Sequence, residues 1–263
     1  MRKIIKYLQV AETSINSAFV YWLNILLGSF FLVLILFIFL QLWETVATKN
    51  PSLEGYSVNQ LIWYYVAAEL VILTKSDVFQ NLNNEIRGGN IAYQLNKPYS
   101  YILYQLSDGF GQIAVRLMIN LPIGLIMGFC LVGQLEGFRW IALPVVLLSF
   151  GLGVLLNFFM EAAIGITAFW TEDNTAFYWI FQKLAFMLGL FLPLEFLPEV
   201  IKKVAVYLPF SYIAYAPAHL LTKFSTEAML QIIPIQLFYM VFFAFATSLL
   251  YGKGVKKLNV NGG

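Results

Sequence analysis

Charged residues are scarce in this sequence. They make up 11% of its 263 residues, whereas 60% are hydrophobic and 17% are aromatic. Soluble domains carry about 25% charged and about 45–50% apolar residues. The scarcity of charge therefore excludes a soluble globular domain, a disordered chain and a nucleic-acid-binding protein. The net charge of +2 gives no reason to expect a polyanionic partner. The composition is typical of a polytopic membrane protein with little mass outside the bilayer.

Residues that bind metals or form disulfides are equally scarce. Cys130 is the single cysteine and His219 the single histidine. This excludes a disulfide framework and a zinc site built from several cysteines or histidines. The sequence also lacks a G-x-x-x-x-G-K-[ST] loop, so it cannot bind ATP as a Walker-type ATPase does. We expect no catalytic residue, metal or cofactor in this chain and a structural role for His219. If ATP drives its work, the ATPase is another polypeptide.

Long apolar runs dominate the rest of the sequence. A helix needs about 20 mostly apolar residues to cross a bilayer. Within the third run, Gly124-x-x-x-Gly128 fits a helix-packing face. The runs predict an all-α, polytopic membrane protein in which residues 1–263 form a single transmembrane domain. Its six predicted transmembrane helices are 18–42, 58–79, 101–132, 140–170, 176–192 and 228–251.

Residues 1–17 have a different pattern. Apolar residues such as Ile4, Leu8 and Ile15 recur at helical spacing, with basic and polar residues on the other side. This predicts an interfacial amphipathic helix lying on membrane lipid. A signal peptide is the alternative, but the following apolar run is too long and lacks an A-x-A site. Six spans place both termini on one side, and three basic residues at each terminus indicate the cytoplasmic side of the cell membrane.

Two segments between the spans are too apolar for plain loops. In residues 80–98, Ile86, Ile91 and Leu95 follow a helix-like spacing that stops at Pro98. A solvated loop has no need for such anchors, so we interpret the segment as a short cytoplasmic helix offered to a partner. In residues 193–226, prolines divide an apolar stretch into segments that are too short to cross the bilayer. We expect these pieces to be outer re-entrant or interfacial helices packed on the spans.

These two segments resemble permease subunits of the ABC-2 type exporter family. That family has an E-I-x-x-G-x-[IL]-x-x-x-L-x-x-P pattern after the second span and a P-L-x-F-x-P … L-P-F stretch after the fifth. The resemblance covers essentially the whole chain. The first pattern is matched by Glu85, Ile86, Gly89, Ile91, Leu95 and Pro98, and the second by Pro193, Leu194, Phe196, Pro198, Leu208, Pro209 and Phe210.

The resemblance implies a permease that pairs with a second copy or a homologue and binds two separate ABC ATPase subunits, which carry ATP and Mg²⁺. It implies export by alternating access, with the substrate unknown. A secondary transporter driven by an ion gradient is the main alternative, and a membrane-embedded enzyme is a further one. The implied ATPase-coupling residues are Glu85, Ile86, Arg87, Gly88, Gly89, Ile91, Leu95 and Pro98, and those of the outer segment are Pro193, Glu195, Pro198, Pro209 and Phe210.

Charged side chains inside predicted spans usually face the bundle interior and pair. Counting along the helices places Glu69 and Arg116 near the middle of antiparallel spans, so we expect them to form an ion pair. The other charges fall nearer the cytosol, where a mixed acid–base cluster would tie the second to fifth spans together. Snorkelling of the lysines to the headgroups and a charged lining for cargo are the alternatives. The intramembrane charges are Glu69, Lys75, Asp77, Asp108, Arg116, Glu161 and Lys183.

Overall fold

The computed structural model describes residues 2–49, 53–171 and 173–261. The side chains of Arg2 and Lys3, which contribute to the predicted N-terminal charge, lie outside this description. Within the described ranges the chain is helical and contains no strand. The α-helices are α1 Arg2–Val20, α2 Trp22–Lys49, α3 Val58–Leu73, α4 Val78–Arg87, α5 Ile91–Leu95, α6 Tyr101–Val132, α7 Leu143–Ile166, α8 Thr175–Ala185, α9 Glu199–Ala205, α10 Tyr215–Thr222 and α11 Thr226–Asn261.

Four helical segments of the described chain are long and apolar enough to cross a membrane. They are α2, α6, Trp140–Phe169, which includes α7, and Thr226–Lys257 in α11. They correspond to the first, third, fourth and sixth predicted spans. The fifth corresponds to a shorter apolar helix, Thr175–Phe191, in which α8 continues as a π-helical turn.

The second predicted span is wrong in its C-terminal part, because the helix stops before residue 79. A capping box between Ser57 and Gln60 begins α3, and Thr74 ends it. The polar residues Thr74 to Asp77 break the helix, and α4 begins at Val78. With 16 residues and a rise of about 1.5 Å per residue, α3 is about 24 Å long, less than a hydrocarbon core of about 30 Å.

Helix α3 forms the centre of the bundle. It packs against α2, α6 and α10, and every residue from Leu61 to Val71 is buried. Two glycines of α6 allow the close approach to α3. A Cβ on Gly124 would lie 3.3 Å from Val66, and one on Gly128 would lie 2.9 Å from the Trp63 ring. The predicted packing face of α6 therefore contacts the central helix.

Helix α1 lies along α6 and extends three residues beyond the predicted end at residue 17. It meets α2 at a bend at Tyr21. Gly111 of α6 is essential for this contact, since a Cβ there would lie 2.5 Å from the Ser14 Cβ. The apolar side chains of Ile4 and Leu8 are exposed. Helix α1 thus presents apolar side chains to its surroundings, as an amphipathic helix should.

Residues 193–226 form short helices, as the prolines predict. Pro193 precedes a 3₁₀ turn at Leu194–Phe196, and Pro198 precedes α9. A second 3₁₀ turn, Pro209–Tyr212, leads into α10, which has eight residues. Helix α10 is buried against α3 and α7, so this segment is part of the bundle rather than a peripheral loop.

Candidate functional site

The break between α3 and α4 is held by Arg116, which projects from α6. Its guanidinium lies 2.5 Å from the Asp77 carboxylate and donates a second hydrogen bond to the backbone carbonyl of Lys75. Lys75 follows Thr74, the residue that ends α3, and lies in the non-helical stretch before α4. Arg116 supplies a partner for its backbone carbonyl and a counter-charge for Asp77. One side chain therefore stabilises both edges of the break.

A second ion pair holds the break from the opposite side. The Lys75 ammonium lies 3.4 Å from Glu161, which is fully buried on α7. Lys75 also contacts the hydroxyl of Tyr178 on α8 at 3.4 Å. The ring of Tyr178 stacks on Phe79 of α4, with centroids 3.9 Å apart. The break is thus connected to α6, α7 and α8 by side chains on both of its edges.

The predicted ion pair between Glu69 and Arg116 is wrong. Glu69 is buried in α3, and among the described residues it has no ion-pair partner. The prediction assumed one continuous helix through residue 79. Because the helix breaks, Asp77 and the carbonyl of Lys75 move within reach of Arg116, and together they satisfy it.

The two remaining intramembrane charges are placed differently from each other. Asp108 on α6 accepts hydrogen bonds from Gln112 at 2.8 Å and Asn81 at 3.4 Å. Lys183 on α8 is exposed, and its ammonium lies 5.8 Å from the centroid of the Trp179 ring. Lys183 also borders a cavity of about 180 Å³ together with Lys75 and Glu161. Neither residue forms an ion pair within the described part of the chain.

The predicted coupling segment forms α4, a glycine turn and α5. Helix α4 is amphipathic, and its buried residues pack on α7 and on the 3₁₀ turn Thr167–Phe169, which follows α7. Gly88 and Gly89 are exposed in the turn, and Gly89 has φ +73°, a conformation that favours glycine. Helix α5 then runs to Leu95, and Pro98 lies in the exposed stretch before α6.

The apolar anchors of this segment face the protein's own core. Ile91 is fully buried, Ile86 is nearly so, and Leu95 is half-buried against them. These anchors therefore hold the segment on the bundle, and the coupling role of the segment stays a prediction. Tyr93 of α5 is 79% exposed and is therefore available to a partner. Sequence reasoning missed Tyr93, and its only signal was an aromatic residue between two apolar anchors.

Polar contacts fix the base of the segment. The hydroxyl of Tyr101 on α6 donates to Glu85 at 2.6 Å, and Arg87 lies 3.8 Å from Asp173 in an exposed ion pair. The Lys6 ammonium donates to the carbonyl of Pro98 at 2.7 Å. The segment is therefore fixed to α1, α6 and the residues before α8, while its tip remains accessible.

A compact polar cluster joins the loop before α3 to residues 193–226. Glu195 accepts hydrogen bonds from the hydroxyls of Tyr215 at 3.0 Å and Tyr56 at 3.3 Å. Nδ1 of His219 lies 3.2 Å from the same carboxylate. The Lys223 ammonium lies 3.4 Å from the centroid of the Tyr56 ring. The structural role expected for His219 is therefore specific, since it helps to join two segments far apart in sequence.

The electrostatics of this cluster favour an ionised Glu195. Burial alone raises the pKa of its carboxyl. The interaction with His219, together with the hydrogen bond from the hydroxyl of Tyr215, outweighs burial and brings the pKa to about 2. The same carboxylate adds to burial in raising the pKa of Tyr56. Pro209 begins the 3₁₀ turn next to the cluster, and the Phe210 ring lies 6.0 Å from that of Phe181 on α8.

The long apolar helices and the ion-paired break between them define the chain as a polytopic helical membrane protein. A family model described as ABC-2 family transporter protein matches residues 14–262, and the chain belongs to that family. It is a permease component of an ABC transporter, the membrane part rather than the ATPase, and the family implies association with ABC ATPases. No curated protein matches the chain.

Proposed function

We propose that this chain is the permease subunit of an ATP-driven exporter. It forms the translocation path with a second permease, either a copy of itself or a homologue, and couples that path to two separate ATPase subunits. ATP and Mg²⁺ belong to those ATPases, and this chain holds no cofactor. The observation that carries the proposal is the α4–α5 segment, whose base is fixed to three parts of the bundle while Tyr93 is exposed at its tip.

The contacts of α4 explain how an ATPase could move the bundle. Helix α4 packs on α7, and the break at its start is bonded to Arg116 on α6 and Glu161 on α7. A displacement at Tyr93 would therefore reach both helices through close-packed and ion-paired side chains. ATP shifts the equilibrium between two arrangements only if the docked ATPase has different contact energies in each. Tyrosine at the centre of such an interface supplies much of its energy.

The proposed topology has six spans, with α3 and Thr175–Phe191 as the two shorter ones. Helix α3 need not match the bilayer thickness, because protein rather than lipid surrounds it. Both termini and α4–α5 lie in the cytoplasm, and residues 193–226 form re-entrant helices at the outer side of the cell membrane. Helices α9 and α10 of that segment have seven and eight residues, which is too short to cross the bilayer, and this supports the arrangement.

A photo-crosslinking amino acid placed at Tyr93 tests the docking role in intact membranes. The matched control is Tyr207, a tyrosine that is 78% exposed but lies in the segment proposed to face outward. We expect Tyr93 to form an adduct with a protein that mass spectrometry shows to carry a Walker G-x-x-x-x-G-K-[ST] loop. The proposal would be contradicted if position 207 formed adducts with such an ATPase, or if neither position did.

A gradient-driven transporter is the second candidate, because Glu161 is a fully buried carboxylate that is paired with the Lys75 ammonium at 3.4 Å. Membrane carboxylates of this kind often mark proton relays. Vesicles containing the chain distinguish the two functions. Transport driven by ATP without an ion gradient supports the exporter, whereas transport driven by a gradient without an ATPase supports the alternative.

A further inference from the structure

A cavity of about 490 Å³ lies between the α1–α2 bend, α6 and the α3–α4 break. Ile25 and Leu73 contribute apolar side chains to it, and Asn24 contributes an amide. Small-molecule sites typically measure about 300–1,000 Å³ and combine apolar walls with a few polar groups. The cavity therefore has the size and the mixed lining of a ligand site.

The charges in this cavity do not balance. Its charged lining consists of Asp77, Asp108 and Arg116, which is two carboxylates against one guanidinium. Arg116 is already bound to Asp77 at 2.5 Å and to the carbonyl of Lys75. Asp108 has no cationic partner within the described residues. The unbalanced negative charge of the cavity therefore resides on Asp108.

The hydrogen bonds of Asp108 leave one of its oxygens available. Both of its amide donors, Gln112 and Asn81, bind Oδ2, and no described residue donates to Oδ1. Lys6 of α1 borders a neighbouring cavity that Asp108 also lines, but its ammonium donates to the carbonyl of Pro98 at 2.7 Å. A carboxylate in a partly desolvated place is stabilised most by a cationic hydrogen-bond donor.

We propose that the cavity binds an amphiphilic cation, with Asp108 as the counter-ion of the ligand's protonated amine. A primary ammonium offers three donors, enough for Oδ1 of Asp108 and a neutral acceptor such as Asn24. The apolar part of the ligand would pack on Ile25 and Leu73. The ligand is the exported cargo, so this inference rests on the proposed function and adds a substrate class to it.

Two glycines provide a steric test of the cavity. Gly28 lines the cavity, and a Cβ added there would meet no atom within 4 Å. A leucine at this position should fill the cavity without disturbing the fold. Gly151 on α7 also has no atom within 4 Å of an added Cβ, but it does not line the cavity. Gly151→Leu is therefore the matched control for Gly28→Leu.

Binding is measured by calorimetry on the full chain in detergent, with three probes that share a phenylbutyl group: 4-phenylbutylamine, 4-phenylbutanol and 4-phenylbutyrate. We expect the amine to bind more tightly than the alcohol and the carboxylate not to bind. Asp108→Asn should weaken amine binding about tenfold, the size expected for a charge-assisted hydrogen bond. Glu12→Gln, which removes an exposed carboxylate outside the cavity, should leave binding unchanged.

Gly28→Leu should abolish amine binding, and Gly151→Leu should preserve it, so the test does not depend on whether Asp108→Asn folds. Equal binding of the amine and alcohol, tighter binding of the carboxylate, or equal effects of the two leucines would overturn the proposal. These measurements need no ATPase. If amine binding depends on Asp108 but the chain never crosslinks to an ATPase, the cation site is supported and the exporter function is rejected.

Discussion

Arg116 on α6 and Asp77, the residue before α4, lie 2.5 Å apart, and the same guanidinium donates to the backbone carbonyl of Lys75 in the break after α3. The pair therefore joins α6 to the start of α4. A break at this point would otherwise leave a backbone carbonyl and a carboxylate without these partners. Its stability therefore depends on Arg116 as well as on the pair between Lys75 and Glu161.

Replacing Arg116 with methionine should destabilise the bundle by about 1–3 kcal/mol, because the carbonyl of Lys75 and the carboxylate of Asp77 both lose their partner. The Asp77 side chain is half exposed, which keeps the loss below that of a fully buried pair. Unfolding in detergent gives the measurement. In a double-mutant cycle with Asp77→Asn the two losses should fail to add, and strict additivity would mean that the pair contributes nothing.

Glu195→Gln should lower the melting temperature at pH 7, since it removes the charge that binds His219 and the tyrosine hydroxyls. The folded-state pKa of Glu195, about 2, lies below its ordinary value of 4.5. Its charge therefore contributes stability above about pH 4.5, and that contribution is lost as the pH falls toward 2. The difference in melting temperature between wild type and variant should shrink over this window. A difference that grows on acidification would contradict the assignment.

Gly128→Leu should be strongly destabilising, because a Cβ there already lies 2.9 Å from the Trp63 ring and the leucine must displace it. Overpacking of this kind costs about 1–3 kcal/mol. Gly151→Leu provides the control, since it adds the same side chain where no atom is within 4 Å. Thermal unfolding compares them, and equal stability of the two variants would show that α3 and α6 are not packed as described.

Cysteine labelling tests the proposed topology. Cys130 is exposed and must first be replaced by serine. Cysteines at Glu199 and Lys203, both exposed, should then react with an impermeant maleimide added outside intact cells. A cysteine at Asn90, exposed in the glycine turn of the coupling segment, should react only after the cells are opened. The reverse pattern would place residues 193–226 in the cytoplasm.

The long apolar helices could be predicted because their signal is local. Runs such as 101–132 are predominantly apolar despite Asp108 and Arg116, and the structure gives the same bounds for α6. The division of residues 193–226 into short helices was also predictable, because Pro193, Pro198 and Pro209 each stand at the start of a short helix, where proline is tolerated. These features depend on the composition of one segment rather than on its neighbours.

The charged contacts could not be predicted in the same way. Whether Arg116 meets Glu69 or Asp77 depends on where α3 ends, and a few polar residues in an apolar run do not fix that point. The cluster around His219 joins residues as far apart as Tyr56 and His219. Only tertiary structure brings such residues together. In α4–α5, likewise, the spacing of Ile86 and Ile91 does not show which side chains are exposed, because exposure depends on how the segment packs on α7.

In the proposed function, α4–α5 couples this permease to a separate ATPase. ATP hydrolysis and ATPase content of the complex purified through this chain test that coupling, compared for wild type, Tyr93→Ala and Tyr207→Ala. Both tyrosines are more than three-quarters exposed, so neither truncation should lower the stability of the chain. We expect Tyr93→Ala to lose the ATPase and its hydrolysis while Tyr207→Ala retains both. Normal ATPase content and hydrolysis in Tyr93→Ala would show that α4–α5 does not bind the ATPase through this residue.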